Sequence, residues 1–214
     1  MARFNLETIL SHNENRFLDL PFKGSREYVH STDLYPALME VARERFGPQA
    51  WVDGLTIRRP FRCIIQVSFE PVEVSFGSFR IRNGNQSIAG WLLETDTLVT
   101  RRIPYDTSPL SAAAVSGPGY ARLLEPLPGF PVLDVLVVLM KQVAAQVDRR
   151  QWWLCQLNLD APLTAVYPIE VSIRNNVGGR CLVFHILQAS IEVGTSRFML
   201  EGTNLQESVH VSAI

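Results

Sequence analysis

Residues 126–145 read PLPGFPVLDVLVVLMKQVAA. The stretch enters through a Pro/Gly turn and then runs apolar around most of a helical circumference, interrupted by Asp134 and Lys141. A helix with no wet face has to be wrapped by other elements of the fold. It is also too short and too charged to cross a bilayer, which takes about 20 predominantly apolar residues.

The flanking sequence supplies the wrapping. After the helix come extended segments at 152–160, 167–174, 180–192 and 197–205, separated by turn residues such as Asn175 to Gly179 and Gly194. A wetter helix precedes it. Leu34 to Phe46 carries Leu34, Leu38, Val41 and Ala42 on one face, with Ser31, Thr32 and Asp33 as N-cap candidates and Gly47-Pro48 as its stop. Arg26 to His30 reads as a short strand before it. From Trp51 the period changes to two, through 52–58, 62–70, 72–82 and 87–102, which predicts an antiparallel meander with a hairpin turn at Asn83-Gly84. Residues 104–119, rich in Pro, Ser, Ala and Gly, read as a connector.

The pattern strand, helix, four strands thus occurs twice, in units spanning 1–103 and 120–214. Short matches align the halves: Pro60 opposite Pro162 (162 − 60 = 102), Glu94 opposite Glu201 (201 − 94 = 107) and Pro36 opposite Pro131 (131 − 36 = 95). Offsets that drift by a dozen residues are what unequal loops produce in an internal duplication. Residues 1–25 show no clean period, and their role is not legible. The expected class is α+β, two curved antiparallel sheets each wrapping a central helix.

Composition bounds the partners. With 214 residues, 47% hydrophobic and 19% charged, the chain can bury a large core. A net charge of −1 with interspersed signs argues against a nucleic-acid backbone, whose binders gather Lys and Arg into a stripe. Arg58, Arg59 and Arg62 come nearest to one and fit a solvated strand edge. Cys63, Cys155 and Cys181 are odd in number and set among apolar neighbours, as reduced, buried thiols would be. Neither a metal site nor a cofactor motif is present: CxxC, HExxH, a P-loop, GxSxG and a dinucleotide glycine pattern are all missing. Without a signal-peptide core or membrane span, a soluble cytoplasmic protein with no membrane partner is expected.

A buried helix wrapped by curved antiparallel sheet resembles the hotdog fold, and two such units resemble a double hotdog. Pro128-Gly129 followed by Asp134 resembles the start of the central helix in bacterial β-hydroxyacyl carrier-protein dehydratases, where the catalytic carboxylate stands at that distance. Pro131 to Asp134 is also similar to the Pro-x-Leu-x-Asp neighbourhood of polyketide synthase dehydratase domains, whose catalytic His lies in the strand-to-helix passage of the first half. Here His30 lies there. The chain departs from those patterns in having only Pro36 after the His, Val138 one turn after the Asp, and Tyr120 where a bacterial dehydratase carries its own His.

What the resemblance implies is a lyase on β-hydroxyacyl thioesters of acyl carrier protein or coenzyme A, in fatty-acid or polyketide-type biosynthesis. His30 would be the base, Asp134 the acid, and Gly129, Phe130, Tyr120 and Tyr35 would line the substrate site. Double hotdogs also serve as thioesterases and acyltransferases, and an ionised Asp134 would suit water attack better. A non-catalytic acyl-binding or assembly subunit is the third alternative. Bland roles compete at each position: a first-turn Asp satisfies a helix N-terminus, His30 can belong to a cap network, Glu40 can face water, and His185 can be an ordinary sheet histidine. A homodimer through sheet edges also stays open, although a double unit already supplies the internal pair.

Overall fold

The computed structural model describes residues 15–201. Pro131, with φ of −57°, stands at the N-cap of helix α3 (Val132–Val147), and Leu133 to Met140 are buried without a break. More than two full turns therefore lack any wet face, as the apolar run requires. Helix α1 (Ser31–Phe46) buries only a stripe, Leu34, Tyr35, Leu38, Val41 and Ala42 along with Ser31 and Thr32. The third helix, α2 (Ser108–Ala113), is short and anchored by Leu110.

Among the described residues thirteen strands accompany them: β1 (Arg16–Leu18), β2 (Phe22–Lys23), β3 (Trp51–Ile57), β4 (Cys63–Ser68), β5 (Gly77–Asn83), β6 (Gln86–Leu98), β7 (Arg102–Ile103), β8 (Val115–Gly117), β9 (Tyr120–Leu123), β10 (Trp152–Leu159), β11 (Ile169–Val177), β12 (Cys181–Gln188) and β13 (Ile191–Leu200). Eleven form one sheet in the order β1-β4-β6-β5-β3-β10-β13-β12-β11-β9-β8, while β2 and β7 make a separate pair. Every pairing in the large sheet is antiparallel. Helix α3 packs across β9, β10, β11 and β12, α1 packs on β3, and the two helices touch each other.

The two halves meet edge to edge. Thr56, Leu55 and Gly54 of β3 lie opposite Gln156, Leu157 and Asn158 of β10, so the sheet runs through the middle of the chain without interruption. The strand orders of the halves differ. Strands β11, β12 and β13 follow one another as a meander, whereas in the first half β3 pairs with β5 and β4 with β6, correcting the meander expected there. Loop length supplies the reason. Residues 178–180 close β11 onto β12 as a tight turn, whereas residues 69–76, expected to be largely strand, are a connection long enough to carry the chain past β6.

Smaller corrections follow. The hairpin turn sits on Gly84 and Asn85, with Asn83 paired to Gln86, one residue later than expected, and Gly84 supplies the positive φ of 58°. Arg26 to His30 is not a strand: Val29 alone bridges to Phe22. Helix α1 begins at Ser31 with His30 as N-cap and no side-chain cap, so Ser31, Thr32 and Asp33 form its first turn. The stretch 104–119 carries α2 and β8. The last segment expected, 197–205, ends as a strand at Leu200, and its remainder past residue 201 lies outside the described residues, as does 1–14.

Cys63, Cys155 and Cys181 are free thiols, the latter two buried beside Met199. No helix among the described residues is long and apolar enough to cross a membrane.

Candidate functional site

Three short stretches converge where α1 and α3 begin. The parallel pairing of β2 with β7 sets Lys23 opposite Ile103 and brings the chain after β7, with Tyr105, over the entrance to α3. His30 leads into α1, its carbonyl accepting from the backbone N–H of Asp33 and Leu34. Asp134 stands in the first turn of α3. Both carboxylates thus sit where the unpaired amides of a helix start favour negative charge.

Lys23 holds the cluster together. Its ammonium, 6% exposed, donates to Thr32 Oγ1 at 2.8 Å and approaches Asp33 Oδ1 at 2.9 Å and Asp134 Oδ1 at 3.4 Å. It also lies 4.7 Å from the centre of the Tyr105 ring. The Tyr105 hydroxyl donates to the same Asp134 oxygen at 2.8 Å. Burial, then the Asp134 carboxylate, pushes the Tyr105 phenol well above its ordinary pKa, so it keeps its proton. Burial raises the Asp33 carboxyl as well, with Lys23 opposing.

His30, 2% exposed, is bonded through both ring nitrogens. Arg26 Nη1 lies 2.7 Å from Nε2 and Thr32 Oγ1 lies 2.9 Å from Nδ1. Because a guanidinium only donates, Nε2 is the acceptor and the proton sits on Nδ1, which donates to Thr32. The ring is neutral. Burial, reinforced by Lys141, Arg26 and Lys23, pushes its pKa down to about 2. The Tyr28 ring stacks on it at 6.4 Å and Tyr105 tilts against it at 5.5 Å.

Beside this cluster opens a cleft of about 410 Å³, lined by Lys23, Arg26 and Tyr105 and by Ser111, Lys141 and Gln142 from α2 and α3. A second cavity of about 20 Å³, room for a single water, is lined by His30, Tyr28 and Trp153 and shares Arg26 and Lys141 with the cleft. Lys141 follows Asp134 by two helical turns (141 − 134 = 7) and so projects from the same face. Burial, then Arg26, lowers its pKa to about 7. No group of three or more His, Cys, Asp or Glu side chains among the described residues could hold a metal ion.

His30 and Asp134, 104 positions apart (134 − 30 = 104), therefore belong to one cluster, linked through Thr32 and Lys23. The other residues expected at the site lie apart from these contacts. The Tyr35 hydroxyl donates to the Val52 carbonyl at 3.0 Å, burial raising its pKa. Tyr120 is a β9 residue paired with Ser172 and Gly117. Gly129, at φ of 85°, and the half-buried Phe130 belong to the turn before α3. Glu40 is exposed, and His185 pairs with Glu192 at 2.8 Å. Sequence reasoning missed Lys23, Arg26, Tyr105 and Lys141. Only Lys141 left a local signal, as the lone basic residue in an apolar helix two turns beyond Asp134.

No family model matches the chain, and no curated protein does. Among solved structures, the erythromycin dehydratase is 13% identical with a TM-score of 0.45, the match covering 81% of each chain. The dehydratase domain of PpsC from Mycobacterium tuberculosis, in complex with C12:1-CoA, is 11% identical with a TM-score of 0.48, over 81% of this chain and 85% of that one. The tesB protein of Mycobacterium avium subs paratuberculosis is 13% identical with a TM-score of 0.42, over 92% and 99%. At these scores nothing about residues or reaction passes from them to this chain. The architecture speaks for itself: β9, α3 and the four strands after it form an antiparallel sheet laid around a buried helix, the hotdog arrangement.

Proposed function

We propose that this is a double-hotdog protein, with units at 1–103 and 120–214 that share a helix-in-sheet plan although their strand orders differ, and that it takes acyl thioesters of coenzyme A or an acyl carrier protein into the cleft beside Tyr105 and Lys141. There it acts as a dehydratase-like lyase on β-hydroxyacyl groups. The observation that supports this best is the union of His30 and Asp134, set at the starts of two different helices, in one buried cluster beside that cleft.

Loss of water needs a base for the proton α to the carbonyl and a donor for the departing hydroxyl. The neutral His30 ring offers its lone pair at Nε2 once Arg26 turns away from it. Asp134 accepts from Tyr105 and Lys23, so its part is to aim these two, and one of them hands its proton to the hydroxyl. The unpaired amides at the start of α3 supply partial positive charge for the enolate oxygen.

One observation favours a second reading, acyl binding without turnover. The His30 lone pair is engaged by Arg26, and an imidazole pushed down to about 2 is a weak base. Incubation with a β-hydroxyacyl pantetheine, followed by mass spectrometry, separates the alternatives. Loss of one water supports the lyase, and release of the thiol points to a hotdog thioesterase. Neither product across several chain lengths leaves the binding role. Full turnover in His30→Gln and Asp134→Asn would remove both residues from the chemistry.

A further inference from the structure

The charges around the cleft do not balance. Lys23 meets Asp33 and Asp134 directly. Among the described residues, the Arg26 guanidinium donates to neutral partners, the Tyr28 hydroxyl at 3.0 Å and His30 Nε2. Lys141 has no hydrogen bond or ion pair among the described residues, where its charged neighbours are Arg26, Lys23 and Asp134. Yet Arg26 and Lys141 line the same cleft and the same small cavity. Partly buried cations are ordinarily paired, because desolvation costs more than an unpaired charge recovers. Two of them facing one opening is an arrangement lacking its counterion.

We propose that Arg26 and Lys141 form an anion subsite for a carboxylate or phosphate group of the ligand. This deepens the acyl-thioester reading of the cleft, on which it rests. A carboxylate would belong to the acyl portion and a phosphate to the carrier arm. The sign of the pH effect follows from Lys141. A bound anion raises the pKa of the ammonium it touches, so binding is tightest while the amine is protonated and weakens as pH rises past about 7.

Calorimetric titration of the full chain with glutarate, and separately with inorganic phosphate, tests this without any need for turnover. At least one probe should bind, with affinity falling by at least about tenfold in Lys141→Met at about pH 6.5; for glutarate, whose charge is constant across the window, affinity should also drop about tenfold between roughly pH 6.5 and 9, and Lys141→Arg should retain binding and lose that pH dependence. Glutarate alone identifies an acyl carboxylate, phosphate alone the carrier arm, and both an oxyanion site open to either. If neither probe binds at tens of millimolar, or Lys141→Met binds as well as the wild type, the subsite is wrong. A protein that binds glutarate but turns over no thioester keeps the subsite and loses the lyase.

Discussion

Replacing Lys23 with Met keeps the aliphatic stem and removes the ammonium from a site that is 6% exposed. Three contacts go with it: Thr32 at 2.8 Å, Asp33 at 2.9 Å and Asp134 at 3.4 Å. Removing one partner of a buried ion pair costs about 3–5 kcal/mol, because the charge left behind keeps its desolvation penalty. Losing the hydrogen bond to Thr32 adds about 1 kcal/mol. Asp33 is partly open to water and recovers some of the loss, so the expected cost at neutral pH is about 3–5 kcal/mol. Urea unfolding of Lys23→Met and wild type, with equal slopes, reads this difference directly. The pH dependence has a fixed sign. Without Lys23, burial raises the Asp33 carboxyl further; a carboxyl whose folded pKa exceeds its unfolded value costs stability above that folded pKa and not below the unfolded one. The gap to wild type must therefore shrink on acidification to about pH 4 and below. A neutral-pH cost under about 1 kcal/mol, or a gap that widens in acid, would refute Lys23 as the keystone of the cluster.

Three further outcomes are expected. Because His30 is held down to about 2 while the unfolded ring titrates near 6.5, wild-type stability should fall below about pH 6.5 by up to about 1.4 kcal/mol per pH unit, and that component should vanish from the difference curve of His30→Gln. Leu136→Ala, in the fully buried face of α3, should cost about 2–5 kcal/mol in urea unfolding, and a cost below that range would mean the helix is less tightly wrapped than described. A Cβ on Gly90 would overlap the far end of the ring of Phe79, its partner across β5 and β6, so Gly90→Ala should lower stability by about 1–3 kcal/mol and Phe79→Leu should relieve most of that.

The amphipathic and apolar helices were legible because their information is local. Leu133 to Met140 announce burial by themselves, and Pro131 and Gly47 mark boundaries by their own backbone preferences. Asp134 could be placed in the first turn of α3 by counting. The cluster around it could not. Lys23 sits in a strand of two residues whose partner lies 80 positions away (103 − 23 = 80), a parallel pairing that leaves no periodic trace. Tyr105 occupies a stretch that composition marks only as a connector. The strand order of the first half was hidden for a related reason: alternation predicts strands at 72–82 and 87–102, close to β5 and β6, but which edge each one takes depends on what the loop at 69–76 can span.

The junction of β3 with β10 bears on how the molecule comes apart. Backbone hydrogen bonds there tie residues 54–56 to 156–158, and each half spends its inner strand edge on the other. An opened half would expose a bare ladder of amides and carbonyls along that edge. Loosening is therefore shared. Amide protons on both sides of the junction should exchange with solvent at one common rate, and a chain nicked within 104–119 should hold its two fragments together until the whole molecule melts.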